Sequence, residues 1–248
     1  MLDFLADPQI WASFITLAVL EIILGIDNII FIAIATEKLP ESQRASARRV
    51  GLILALLLRL VFLAMISWII GLTTPVFSAF GQDVSWRDLI LLAGGLFLLY
   101  KATIEVHAAI EEKEEGHAIK AASFAAIIGQ IIILDLVFSL DSVITAVGMT
   151  DNLPVMYAAV IVAVGTMLAA SGPISRFVHR HPTVKMLALS FLLLVGVALV
   201  ADGLHFHIPR GYLYFAIAFS LGVEVLNLLA KRSHARRAGA AAAPKKQL

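Results

Sequence analysis

Residues 10–36 read IWASFITLAVLEIILGIDNIIFIAIAT. Crossing a bilayer takes about 20 largely apolar helical residues, and this run supplies them with only two charges inside it, Glu21 and Asp27. A cleavable signal is excluded, because the run is too long and Asp3 and Asp7 precede it where a signal carries positive charge. The run is therefore a membrane helix. Six more follow at about 50–71, 88–106, 122–148, 154–172, 184–201 and 210–229. The whole composition agrees: of 248 residues, 60% are hydrophobic and 15% charged, against roughly 45–50% apolar and 25% charged in soluble domains. The expected fold class is an all-α polytopic membrane protein with seven transmembrane helices. The chain has no cysteine, which excludes a disulfide scaffold, a thiolate zinc site, an iron–sulfur cluster and a cysteine nucleophile. A net charge of +1 gives no field for nucleic acid, so none is expected as a partner.

Where the charges fall orients the chain. Lys38, Arg44, Arg48, Arg49, Lys101, Lys113, Lys120, Arg176, Arg180, Lys185 and the six basic residues from Lys231 to Lys246 fall on one side of the expected spans. Only Arg87 and Arg210 fall on the other, with Arg59 inside the second span. Positive residues favour the cytoplasmic face, so the N-terminus is expected outside and the C-terminus in the cytoplasm. Trp11, Trp68, Trp86, Tyr157, Tyr212 and Tyr214 lie near the expected outer ends, where amphipathic rings favour the headgroup level. The acidic stretch Glu111, Glu112, Lys113, Glu114, Glu115 reads as a solvated cytoplasmic loop. Residues 231–248 read as a basic, disordered tail that meets anionic lipid, following a transporter domain over residues 1–230.

Displaced by 114 positions, the sequence superposes on itself without a gap. Glu21 falls on Asp135, Asp27 on Asp141 and Asn28 on Ser142; Thr36, Glu37, Leu39 and Pro40 fall on Thr150, Asp151, Leu153 and Pro154. Aliphatic matches between membrane helices are common, but acid on acid twice, followed by a shared Thr, acid, Leu, Pro pattern, is not. Three spans separate the copies, and an odd number reverses direction. The expected architecture is thus an inverted repeat of three helices plus three, at about 10–106 and 122–201, with the helix at 210–229 added. Transporters of this construction bind substrate near the midplane, where the repeats meet.

A charged residue at a helix centre costs roughly 2.5–3.5 kcal/mol on insertion scales. This chain places Glu21, Asp27, Asp135 and Asp141 in its spans, with Glu224 in the seventh and Arg59 as the only deep cation. Pairing with Arg59, read as a structural counter-ion, neutralises one carboxylate. Three or four acids are expected to lack a protein partner, which points to a bound cation or to protons. Glu224 is read either as a partner of Arg59 or as an interfacial side chain. Six residues turn a regular helix by about 240° beyond a full revolution, so Glu21 and Asp27 do not share a face. Either the helices unwind around Gly25 and Ser139, freeing carbonyl ligands, or they stay regular and the acids mark successive stations. The donors are all oxygen: the carboxylates, the Asn28 amide and the hydroxyls of Ser139, Ser142 and Thr145. Such a set suits Mn²⁺, Ca²⁺ or Mg²⁺ better than copper or zinc. The candidate metal ligands are Glu21, Asp27, Asn28, Asp135, Asp141 and Ser142, and exchange of metal for protons follows from crowded acids raising one another's pKa. His179 with His181, and His205 with His207, are read as interfacial polar residues instead.

The runs Glu21-Ile-Ile-Leu-Gly-Ile-Asp27-Asn28 and Asp135-Leu-Val-Phe-Ser-Leu-Asp141-Ser142, within a compact seven-span layout, resemble the TerC family, named for tellurium resistance. The resemblance implies a bacterial inner-membrane protein that exports metal, manganese in the best understood members, with the acids of both motifs at the ion site. The cation is then cargo, no resident cofactor is expected, and the partners are the metal ion and the lipid bilayer. No CBS or corrin-related domain follows in this sequence, so nucleotide regulation of that kind is not expected.

An intramembrane aspartyl protease also needs two embedded aspartates, but neither motif carries the Tyr-Asp or Gly-x-Gly-Asp of those enzymes, and the extra acids have no role there. A retinal protein needs a lysine inside the seventh helix, and Lys231 lies past its end. A non-transporting membrane stress or insertion partner is the remaining alternative. A secondary transporter exporting a divalent cation is the leading expectation, and no enzymatic activity is expected.

Overall fold

The computed structural model describes residues 7–79, 82–115, 123–147, 150 and 152–241. Its elements in chain order are α1 (Pro8–Leu24), α2 (Ile26–Glu37), α3 (Glu41–Ala64), α4 (Ile66–Gly71), β1 (Pro75–Ala79), β2 (Gln82–Ser85), α5 (Trp86–Glu115), α6 (Phe124–Val147), α7 (Leu153–Arg180), α8 (Pro182–Gly203) and α9 (Arg210–Ala241). The protein is all-α and polytopic, apart from one hairpin in which β1 pairs antiparallel with β2.

Five stretches of the described residues are long and apolar enough to cross a membrane: Pro8–Glu37, Trp86–Glu111, Phe124–Ile144, Leu153–Arg180 and Pro182–Gly203. The expected second span, 50–71, is divided between α3 and α4 at Met65, and α3 opens with a polar turn. The expected seventh corresponds to Gly211–Asn227, apolar but shorter. Two helices run on where the sequence reading stops them. α5 continues to Glu115, through the start of the segment expected as an acidic loop. α9 continues to Ala241, into the segment expected as a disordered tail. The reason is the same in both: alanine, glutamate, lysine and arginine are strong helix formers, and a helix leaving the membrane keeps its backbone bonds in water. Residues 116–122 and 242–248 lie outside the described residues.

Helix pairing follows the repeat. α1 packs on α7 and α3 on α6, and each pair becomes the other when the two triplets are exchanged; α3 on α7 and α5 on α8 map onto themselves. α9 lies against α8, at the side of this arrangement. Between α5 and α8 the backbones approach closely. A Cβ added to Gly95 would lie 2.9 Å from the Gly196 carbonyl oxygen, and one added to Gly203 2.9 Å from that of Asp88. Small residues at such a seam substitute close van der Waals contact for the hydrophobic force that lipid does not supply. Outward-facing apolar side chains such as Ile15, Val19, Leu57, Val61 and Leu96 fit a lipid solvent, and Trp11, Trp68, Trp86 and Tyr212 are exposed at the expected outer ends.

Candidate metal site

Glu21 lies in the last turns of α1 and Asn28 in the first turn of α2, with Gly25 between the two helices. The break is tight. Gly25 keeps φ −90° and ψ −5°, its N–H donates to the carbonyls of Glu21 at 2.9 Å and Ile22 at 3.2 Å, and its own carbonyl accepts from Ile29. The terminal methyl of Met167, from α7, fills the space a side chain would take: an added Cβ would lie 1.8 Å from Met167 Cε, so this flexible side chain would have to swing aside. α6 is continuous through Asp135 and Asp141. Of the two geometries the sequence left open, the fourth span therefore takes the regular one, and the first bends at one residue.

Glu21, Asn28, Asp135 and Arg59 meet in the interior, each at most 6% exposed. Arg59 donates from one terminal nitrogen to Glu21 and from the other to Asp135 Oδ1 at 3.3 Å. Asn28 Nδ2 donates to the same Asp135 oxygen at 3.0 Å, and Ser139 Oγ donates to Asp135 Oδ2 at 2.9 Å. Asp135 is thus fixed from three sides by helices of both repeats. The Arg59 Nε is buried with no hydrogen-bond partner among the described residues. Displacement by 114 positions sets Pro173, inside α7, against Arg59, so the second repeat has no matching guanidinium.

Asp141, 4% exposed, turns to a different partner, as six residues on a regular helix require. Its Oδ1 accepts from Arg87 Nη2 at 2.9 Å. Arg87 is held at the start of α5 by a capping box: the Ser85 N–H donates to Asp88 Oδ2 at 2.8 Å while the Asp88 N–H donates to Ser85 Oγ at 3.2 Å. The same Asp88 oxygen lies 3.0 Å from His205 Nε2, and His205 takes a left-handed φ of 65° to reach it.

These contacts correct the expectation of several unpartnered acids. Each described carboxylate of the two motifs pairs with an arginine, because Arg87, assigned to an outer loop, reaches inward. Four buried carboxylates, Glu21, Asp88, Asp135 and Asp141, lie against Arg59 and Arg87, and Asp88 also meets His205. Ser142 Oγ is committed to the Ser139 carbonyl at 3.3 Å, inside its own helix. Glu224 is not a partner of Arg59; it accepts from Thr183 at the start of α8. Glu105, in α5, binds Lys38. The histidine pairs split among different acids: His179 to Glu37, His205 to Asp88 and His207 to Asp202. The side chains of Asp27 and Thr145 lie outside the described residues. Arg87, Asp88 and His205 were missed in the sequence, although Ser85-x-x-Asp88 before an apolar run is a capping-box signature.

The family described as "Integral membrane protein TerC family" matches residues 6–239. The chain is 56% identical over 237 residues to the UPF0053 inner membrane protein YoaE of Escherichia coli K12, covering 95% of this chain and 46% of that protein. It is 54% identical over 230 residues to the UPF0053 inner membrane protein YgdQ of the same strain, covering 93% and 97%. A UPF0053 protein of Haemophilus influenzae is 53% identical over 234 residues, covering 94% and 99%. The chain thus spans about half the length of YoaE and nearly all of YgdQ. No solved structure matches.

Proposed function

The chain belongs to the TerC family of integral membrane proteins, and from that premise we propose that it is a secondary transporter exporting a divalent metal cation, Mn²⁺ foremost, in exchange for protons. It sits in the inner membrane as a multi-pass protein, like the relatives named for that location. The observation that carries the reading is the interior group of Glu21, Asn28 and Asp135, contributed by both repeats and buried where charge is most costly. A structural ion pair needs one carboxylate for one guanidinium, whereas Glu21 and Asp135 share the single guanidinium of Arg59. The donors are hard oxygens, suited to Mn²⁺, Ca²⁺ or Mg²⁺. Asp141 with Arg87, nearer the hairpin, forms a second station on the outer side, and Asp27 is its counterpart on the inner side. The protein binds and moves an ion without chemical conversion, so it is not an enzyme.

The test is Mn²⁺ flux into proteoliposomes holding the full chain, with and without an imposed proton gradient. Flux that follows the gradient and is lost in Asp135→Asn supports the reading. Flux indifferent to the gradient removes proton exchange, and no flux of Mn²⁺, Ca²⁺ or Mg²⁺ removes transport.

A further inference from the structure

Two cavities flank the Glu21–Arg59–Asp135 group. One runs along α8 towards the hairpin end and is lined by Leu24, Phe138, Ser142, Phe191 and Asp202 among others. The other lies towards the turn between α2 and α3, against Asn28, Phe31, Leu52, Ile131 and Asp135. Among the described residues, Arg59 alone lines both.

We propose that Arg59 is a tethered cation, holding the two carboxylates of the transport site whenever no metal is bound, and that the transported ion gains Glu21 and Asp135 only by displacing it. This rests on the transport reading above. Arg59 is then both the competitor of the cargo and the side chain that separates the two cavities.

Three observations converge. Once the metal has left, two bare carboxylates in the interior are costly; a guanidinium on a long side chain removes that cost without leaving the protein. Arg59 also divides its guanidinium between the two carboxylates, donating to Glu21 and, at 3.3 Å, to Asp135, and leaves its buried Nε unpartnered among the described residues, whereas well-settled buried donors are satisfied. Finally, Asp135 keeps Asn28 and Ser139 when Arg59 leaves, so the carboxylate stays aimed for the incoming ion. A divalent cation brings twice the charge to the same pair, so the exchange favours +2 cargo over +1. Because Pro173 replaces a second arginine, one guanidinium serves the whole site.

The experiment measures Mn²⁺ binding to the purified full chain by titration and Mn²⁺ flux in proteoliposomes, for wild type, Arg59→Gln, Arg59→Lys and Asp135→Asn. With the competitor removed, Arg59→Gln is expected to bind Mn²⁺ at least about tenfold more tightly while its flux falls at least about tenfold, because nothing displaces the bound ion from the two carboxylates. Arg59→Lys keeps a charge but makes a single point contact, so its binding tightens less and part of the flux is retained; it carries the test if Arg59→Gln does not fold. Asp135→Asn binds more weakly than wild type. Unchanged or weaker binding in the Arg59 variants, with Asp135→Asn still impaired, overturns the tethered cation and leaves the transport reading standing. No Mn²⁺ binding in wild type overturns both.

Discussion

Asp135 is the residue on which most of the interior chemistry converges, with Arg59, Asn28 and Ser139 all donating to it. Removing a hydrogen bond to a buried charged acceptor costs about 1.5–3 kcal/mol, so Asn28→Ala is expected to lower thermal stability in detergent by that amount. Ser190→Ala, where an exposed hydroxyl bonds only its own helix carbonyl, should stay within about 0.5 kcal/mol. Equal melting temperatures for the two variants would mean that Asn28 does not support Asp135. Arg87→Gln should destabilise less than Arg59→Gln in the same assay, because the Arg87 side chain is 26% exposed against 2% for Arg59, so solvent screens its ion pair more, and because Arg87 holds one motif carboxylate where Arg59 holds two. At this scale the sequence told much about acids and little about their partners. Glu21, Asp135 and Asp141 announce themselves by their cost in an apolar run. That Arg87 binds Asp141, 54 residues away, depends on the register of α5 against α6, which no local pattern encodes. Asp88 and His205 were hidden for the same reason, although the capping box that positions them was readable.

Elements were more legible than contacts, and their departures have local causes. Hydrophobic runs located every long helix, but they measure the membrane, not the helix, so α5 and α9 outran their predicted ends on helix-forming polar residues. The β1–β2 hairpin is too short to stand out from the connection that contains it. The first span could unwind at Gly25 or stay regular; it interrupts at that one residue without freeing the Gly25 carbonyl, which accepts from Ile29. Gly25→Ala is expected to destabilise by about 1 kcal/mol, the low end of overpacking costs, because the Met167 side chain can swing aside; thermal unfolding of Gly25→Ala, Met167→Ala and the double variant reads the coupling. At the α5–α8 seam, where a Cβ on Gly95 would meet backbone atoms that cannot move aside, Gly95→Ala should impair folding. Gly129→Ala should not, since its Cβ would meet nothing within 4 Å. Equal yields of folded Gly95→Ala and wild-type protein would contradict the close packing.

Over the whole molecule, the 114-residue displacement read from the sequence and the exchange symmetry of helix pairing describe the same object. The charge distribution predicts an orientation, and the basic face is crowded: burial, then the charges of Arg176, Arg44 and Arg49, lower the Arg48 pKa, a repulsion that anionic headgroups would offset. The absence of cysteine makes this directly measurable. Ser78→Cys in β1 should react with a membrane-impermeant maleimide in intact cells, and Ser42→Cys at the start of α3 only after permeabilisation; the reverse pattern would invert the protein. The central claim is that acids buried in two inverted copies carry a divalent cation out of the cell. It is tested most directly by cellular manganese content under manganese load, comparing cells expressing wild type, Asp135→Asn or Asp141→Asn with cells lacking the protein. The account predicts low manganese with wild type and, for both variants at equal membrane expression, the high content of cells without the protein; wild-type and variant cells with the same manganese content would contradict it.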